Sequence, residues 1–203
     1  MKKLFYLSVA ILCNAVGIGL MTKSEMGMTV WGSSAFSVSE YFSISLGLSF
    51  FIISVIFYLA GAVIVKRINF FKMLQSFVFA ILYGLLLDQL LLLTSDILVS
   101  SLVMRLIVNV SGLLILLFGI TIHIRLGIAV HPMDVYLYSL HESTGSVKKG
   151  TYIAYFSAFS IVIIFSLLSG RILGVGVGTI LTLAFGGMIM YYMDKLVTKI
   201  TNL

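Results

Sequence analysis

Six long apolar runs dominate this sequence and restrict the folds that it can adopt. Each has about 20 residues with few charges, which is the length that an α-helix needs to cross the hydrocarbon core of a bilayer. Strands of a membrane barrel would instead be about ten alternating residues long. The runs are Leu4–Thr22, Ile44–Val65, Phe70–Leu93, Leu102–Ile122, Thr151–Ser169 and Leu173–Met193. We therefore predict an all-α membrane protein with six transmembrane helices.

The composition agrees with this prediction and excludes most soluble classes of protein. Hydrophobic residues make up 61% of the 203 residues and charged residues only 10%, whereas a soluble domain has about 25% charged residues. The length suits a single membrane domain over residues 1–203. Cys13 is the only cysteine, so no intrachain disulfide can form.

Positive charges are distributed unequally between the two ends of the predicted helices. With the N-terminus in the cytoplasm, ten of the thirteen Lys and Arg residues fall on the cytoplasmic side, and only Lys23, Arg105 and Arg171 fall outside. Cytoplasmic loops of membrane proteins carry such an excess of Lys and Arg. We predict a multi-pass protein of the plasma membrane with both termini in the cytoplasm. Its net charge of +6 then reflects orientation in the lipid bilayer and not binding to nucleic acid.

Two connections between the runs, Lys23–Ser43 and His123–Gly150, are long but too apolar for solvated loops. We expect each to contain a short half-helix that lies at the membrane interface or dips into the membrane. Non-helical backbone at that depth is tolerated only inside protein or beside a water-filled cavity.

The same two connections correspond to each other when the chain is shifted by 102 residues. The shift aligns Gly17 with Gly119, Lys23 with Arg125, Trp31 with Met133, Gly32 with Asp134 and Ser37 with Ser139. Each half, about 1–97 and about 98–203, then holds three helices, and an odd number inverts the second half in the membrane. Inverted repeats are common in secondary transporters, which bind substrate where the halves meet.

Several motifs in these regions resemble those of the YczE/YyaS (YczE/YyaS/YitT-like) family of bacterial integral membrane proteins. The similar stretches are Lys23-Ser24-Glu25-Met26-Gly27-Met28-Thr29-Val30-Trp31-Gly32, Tyr83-Gly84-Leu85-Leu86-Leu87-Asp88, Pro132-Met133-Asp134 and Gly174-Val175-Gly176-Val177-Gly178-Thr179. The sequence departs from the pattern at Gly32, where an acid is usual, and at Met190 and Tyr191, in a region that often carries one. The resemblance implies a bacterial cell membrane and a multi-pass fold, but no particular substrate.

Asp88 is the most conspicuous polar residue in the apolar runs. A carboxylate at the bilayer centre costs about 2.5–3.5 kcal/mol, so its presence needs a reason. One interpretation is a site for proton or cation coupling. The other is a structural role, either an ion pair with Arg105, which lies one turn inside the next predicted helix, or hydration at the outer surface.

Other polar residues are candidates for a substrate or proton pathway. Asn14 and Asn109 lie near the middle of the first and fourth predicted helices, where they either contact substrate or join helices by hydrogen bonds. His131 and Asp134 flank Pro132, the only proline, which suits the first turn of a helix. A half-helix starting there would point its positive end into the protein, or it is an ordinary helix start. Trp31, in the first long connection, is the remaining candidate for the substrate or proton pathway.

Glycines recur every fourth residue near the last predicted helix, together with one threonine. Such a stripe lets helices approach closely in lipid, and we expect it to pack against the other half. Its members are Gly170, Gly174, Gly178, Thr182 and Gly186. Gly27 and Gly176, like Pro132, are predicted to break helices.

These features favour a small-solute transporter or permease over other functions. The alternatives are a substrate-binding subunit of a multi-component vitamin importer and a non-transporting assembly or sensor protein. We predict no enzyme, because no nucleophile has an evident base beside it. We predict no cofactor and no metal, since the three histidines do not form a metal signature. Both a monomer and a homodimer are compatible with the sequence.

Overall fold

The computed structural model describes residues 2–67, 69–127 and 131–201, and every regular element in these residues is a helix. The helices are α1 (Lys2–Ser24), α2 (Val30–Phe42), α3 (Leu46–Val65), α4 (Phe70–Leu93), α5 (Leu102–Leu126), α6 (Pro132–Thr144), α7 (Val147–Ser169) and α8 (Val177–Thr201). All except α2 and α6 are long and apolar enough to cross a membrane. The predicted all-α fold with six apolar spans is confirmed over the described residues.

The two short helices, α2 and α6, lie in the two long apolar connections and have 13 residues each. Thr29 begins α2, because its side chain accepts a hydrogen bond from the Gly32 N–H. His131 has the same role for α6, and Pro132 follows as the first helical residue, where its missing N–H costs nothing. Residues 128–130 of the second connection lie outside the described residues.

The last helix begins later than predicted, and this overturns the glycine stripe. Gly170 is the C-cap of α7 with φ of 66°, and Gly174 has φ of 67° in the connection before α8. Left-handed backbone of this kind suits glycine and ends a helix. Only Gly178, Thr182 and Gly186 therefore lie on α8. The prediction of one continuous packing stripe is wrong, because its spacing of four continues across a helix end.

Gly27 and Gly176 both lie outside helices, as expected of helix breaks, and their backbones pack against each other. Gly27 has φ of 87°, and a Cβ atom there would collide with the Gly176 backbone. Two hydrogen bonds fix this contact, from Gly178 N–H to the Met26 carbonyl (2.8 Å) and from Met28 N–H to the Gly174 carbonyl (3.0 Å). The turn between α1 and α2 is thereby joined to the start of α8.

The centre of the bundle is the crossing of α1 and α5. A Cβ atom on Gly17 would lie 2.7 Å from the Gly112 carbonyl, and one on Gly119 would lie 3.0 Å from the Ala10 carbonyl. Around this pair, the helices pack as α1 with α4, α5 with α8, α3 with α4, α2 with α3, α6 with α7, α3 with α6 and α2 with α7. No comparable packing joins α7 to α8 among the described residues.

The outer surface of the bundle is apolar, as expected in lipid. Exposed side chains include Phe156, Leu167 and Leu93, which are 73%, 77% and 79% exposed. A soluble protein rarely exposes so much contiguous apolar surface. The six apolar helices and this surface indicate a multi-pass membrane protein in contact with the bilayer.

Candidate functional site

A cavity of about 80 Å³ lies between the crossing of α1 and α5 and the first turns of α2 and α6. Its lining comes from all of the helices α1 to α6 or their caps. The lining residues are Asn14, Ile18, Thr29, Trp31, Phe50, Tyr83, Leu116, Ile120, His123, His131, Met133 and Asp134. Four of the six predicted pathway residues, Asn14, Trp31, His131 and Asp134, are therefore brought together here.

The two halves of the sequence contribute corresponding residues to this lining. Eight of the lining residues form four pairs that are each separated by 102 positions. The pairs are Asn14 with Leu116, Ile18 with Ile120, Thr29 with His131, and Trp31 with Met133. Both halves of the sequence therefore contribute to the cavity, partly at positions that the 102-residue shift aligns.

The first turn of α6 supplies the titratable groups on one side of the cavity. The Nδ1 atom of His131 accepts a hydrogen bond from the Met133 N–H at 3.3 Å, which leaves Nε2 to carry the proton of the neutral ring. Burial and the nearby His123 lower the pKa of His131 to about 3. Burial raises the pKa of Asp134 to about 7. Near neutral pH, His131 is therefore uncharged and Asp134 is only partly ionised.

Aromatic rings surround these groups and shape the rest of the cavity. The Phe79 ring stacks on His123 with centroids 4.4 Å apart, and it meets His131 edge-on at 5.5 Å. The ring of Trp31, another lining residue, contacts Phe57 edge-on at 5.1 Å. The cavity combines a few polar groups with apolar walls, which is the usual composition of a small-molecule site.

The two asparagines occupy different environments. Asn14 is 6% exposed and lines the cavity, and its Oδ1 atom has no hydrogen-bond partner. A buried polar atom without a partner costs about 1–3 kcal/mol, and this oxygen lies 3.0 Å from the position of a Cβ atom on Gly119. The Oδ1 atom of Asn109 also has no hydrogen-bond partner, but its Nδ2 atom donates to the Ser24 hydroxyl and the Gly27 carbonyl, both at 2.8 Å. Its position therefore favours the helix-joining interpretation.

Asp88 lies outside the cavity, and its predicted ion pair with Arg105 is wrong. The Asp88 carboxylate accepts hydrogen bonds from the Ser45 hydroxyl (2.6 Å) and the Gly47 N–H (2.7 Å), so it caps the start of α3. Arg105 instead pairs with Glu25 and donates from Nε to the Ser24 carbonyl at 2.9 Å. Similar depth in the membrane does not decide which neighbouring helix a side chain faces.

Several functional contacts were not predicted from the sequence. Tyr83 and His123 line the cavity, but single polar residues in apolar helices give no signal of a shared site. Arg125 forms two hydrogen bonds with Asp194, at 2.6 and 2.8 Å, which join α5 to α8. The 102-residue alignment of Lys23 with Arg125 drew attention to Arg125 but did not indicate that Asp194 is its partner. Among the described residues, no group of three or more His, Cys, Asp or Glu side chains could hold a metal ion.

Comparisons with known proteins agree with the motifs. A family model described as "Family of unknown function (DUF6198)" matches residues 1–195. The chain is also 25% identical to "Uncharacterized protein YyaS" of Bacillus subtilis (strain 168) over 199 residues, which is 97% of this chain and 94% of that protein. The resemblance to YyaS-like proteins is confirmed. No solved structure matches the chain.

Proposed function

This chain belongs to the DUF6198 family, whose function is unknown, and we propose that it is a secondary-type transporter of a small solute in the bacterial plasma membrane. The solute binds in the cavity between two inverted repeats, about 1–97 and about 98–203. The observation that carries this proposal is the pairing of cavity residues at a separation of 102 positions. Transporters of inverted-repeat type place their sites at such a repeat interface.

The arrangement of helices supports the repeat. When α1 to α4 are exchanged with α5 to α8, the α1–α5 contact maps onto itself. The exchange also maps α1–α4 onto α5–α8, α2–α3 onto α6–α7, and α2–α7 onto α3–α6. Only α3–α4 lacks an equivalent of comparable extent. Each half has three spans and one short helix, so the second half is inverted and both termini lie on the same side. The excess of Lys and Arg on that side makes it the cytoplasm.

The short helices give the cavity its electrostatic character. The N-terminal ends of α2 and α6 both lie at the cavity, and a helix N-terminus carries a partial positive charge. No Lys or Arg side chain is among the lining residues. Discontinuous helices point these ends at substrate groups in known transporter folds. A cavity of about 80 Å³ suits a solute of only a few heavy atoms, because one water occupies about 30 Å³ of liquid.

Asp134 is the proton carrier in this proposal. It lines the cavity, whereas Asp88 does not, and its pKa of about 7 allows it to gain and lose a proton under physiological conditions. His131 and Asn14 then bind the solute as neutral hydrogen-bonding groups. Trp31 covers the site from the side of α2.

Uptake into proteoliposomes tests the proposal, with two carboxylates as a matched pair. Purified protein is reconstituted, and a panel of small metabolites is assayed under an imposed pH gradient. We expect uptake of at least one solute, its loss in Asp134→Asn, and normal uptake per folded protein in Asp88→Asn. Failure of the whole panel, or equal effects of the two substitutions, would contradict the proposal.

A further inference from the structure

A second and larger concavity lies on the outer side of the wall of the central cavity. This outer groove is formed by Val30 of α2, Leu183 of α8 and five side chains of α7, among them Ile153, Tyr155 and Phe156. Its volume is about 540 Å³, compared with about 80 Å³ for the central cavity. The groove could therefore hold a much larger ligand than the cavity.

The side chains of the outer groove are suited to hydrocarbon. None of its lining residues is charged, and the polar atoms among them are tyrosine hydroxyls. Phe156 is 73% exposed and Leu183 is 53% exposed, so the groove is open on the outside of the bundle. It is continuous with the apolar surface of α7 and α8, two candidate membrane spans, and that surface contacts lipid.

The groove exists because α7 and α8 do not pack as the equivalent helices α3 and α4 do. In the first half, Gly47 and Gly84 bring the backbones of α3 and α4 into contact. Gly186 lies 102 positions after Gly84, but only Thr182 of its own helix would lie within 4 Å of a Cβ atom there. The space between α7 and α8 is thus left for another occupant.

We infer that an acyl chain of a bilayer phospholipid occupies the outer groove, and that Trp31 and Tyr155 separate it from the central cavity. Trp31 lines the cavity, its neighbour Val30 lines the groove, and the Trp31 and Tyr155 rings meet edge-on at 6.3 Å. A second copy of the chain fits less well, because helices that associate in lipid present small residues, and the lining of the groove contains no Gly, Ala, Ser or Thr. Binding of an acyl chain in the outer groove does not require that the protein transports a solute.

The single tryptophan makes the inference directly testable. Trp31 is the only tryptophan in the chain, so all tryptophan fluorescence reports on this wall. The full-length protein is reconstituted in phospholipid vesicles whose acyl chains either carry bromine atoms at mid-chain or do not. We expect brominated chains to quench Trp31 strongly, and quenching to be roughly halved in Ile153→Phe, whose larger side chain fills the groove.

Ile164→Phe is the matched control, because Ile164 lies on α7, is 52% exposed and is not part of the groove. Its quenching should equal that of the unchanged protein. Tyr155→Ala should increase the quenching, since it opens the wall between the groove and Trp31. The inference is overturned if the unchanged protein is not quenched, if the two phenylalanine variants are quenched equally, or if Tyr155→Ala has no effect. Cross-linked dimers that resist quenching would identify a second copy as the occupant instead.

Discussion

At the residue scale, Asp88 and Asp134 carry the same carboxyl group in opposite surroundings. Asp88 accepts two hydrogen bonds at the start of α3, from the Ser45 hydroxyl and the Gly47 N–H. Asp134 is half-buried at the cavity, and this burial raises its pKa to about 7. The two carboxyl groups therefore differ in their hydrogen bonds and in their burial.

Asp134 should make the stability of the fold depend on pH. Its pKa in the folded state, about 7, lies above the ordinary value of about 4. Between these values the folded state binds more protons than the unfolded state, so stability falls as pH rises. Its contribution is fully present below about pH 4 and is lost above about pH 7.

The measurement compares thermal unfolding of the unchanged protein and Asp134→Asn in detergent from pH 4 to pH 8. His131 has the opposite dependence, because its pKa is lowered to about 3, but it is present in both proteins and cancels in the difference. We expect Asp134→Asn to gain roughly 4 kcal/mol relative to the unchanged protein across this range, because each of the three units of pKa difference corresponds to about 1.4 kcal/mol. Parallel curves for the two proteins would show that burial does not affect this carboxyl.

Asp88 should contribute to stability by capping α3. Asp88→Ala removes both hydrogen bonds and should destabilise the fold by about 1–3 kcal/mol. Asp88→Asn keeps one acceptor oxygen and should cost less. In a double-mutant cycle with Ser45→Ala, the two substitutions should be non-additive, because they remove the same hydrogen bond. Additive losses in chemical unfolding would indicate that the Ser45 bond contributes nothing.

At the element scale, the close crossing of α1 and α5 depends on glycine. Gly17→Ala would place a Cβ atom 2.7 Å from the Gly112 carbonyl, and such overpacking costs about 1–3 kcal/mol. Gly187 lies inside α8 with no atom within 4 Å of its potential Cβ position. Gly187→Ala should therefore stabilise the fold by up to about 1 kcal/mol. Unfolding measured in mixed micelles should separate the two variants, and equal effects would contradict the observed crossing.

The elements that could be predicted from the sequence are those that depend on local properties. The start of α4 at Phe70 and the start of α6 at Pro132 follow from apolar run length and from proline geometry. The glycine stripe failed because its regular spacing does not reveal that Gly170 and Gly174 adopt left-handed backbone. Which residues share the cavity depends on helix rotation, which no single helix specifies. For that reason, the sequence alone does not distinguish Asn14, which lines the cavity, from Asn109, which forms hydrogen bonds outside it.

At the scale of the whole molecule, ion pairs on the two short helices repeat the 102-residue relation. Glu40 at the end of α2 pairs with Arg171 at 2.6 Å, and Glu142 at the end of α6 pairs with Arg67 at 3.8 Å. The two glutamates are 102 positions apart, and the two arginines are 104 positions apart, each just after the second span of its half. Exposed pairs of this kind contribute about 0–1 kcal/mol each, so their significance lies in their equivalent positions more than in their strength.

The inverted arrangement predicts that these two ion pairs lie on opposite faces of the membrane. With cytoplasmic termini, Arg171 and Asp96 are outside, whereas Arg67 and Ser146 are inside. Single cysteines are introduced at these positions in a Cys13→Ser background, since Cys13 is the only native thiol. In intact cells, a membrane-impermeant maleimide should label the cysteines at positions 171 and 96 and not those at 67 and 146. Permeabilised cells, in which all four should react, control for accessibility. Positions 67 and 171 each follow the second span of their half. Only a parallel repeat would place them on the same side of the membrane. Labelling of both positions from the same side would therefore exclude the inverted repeat.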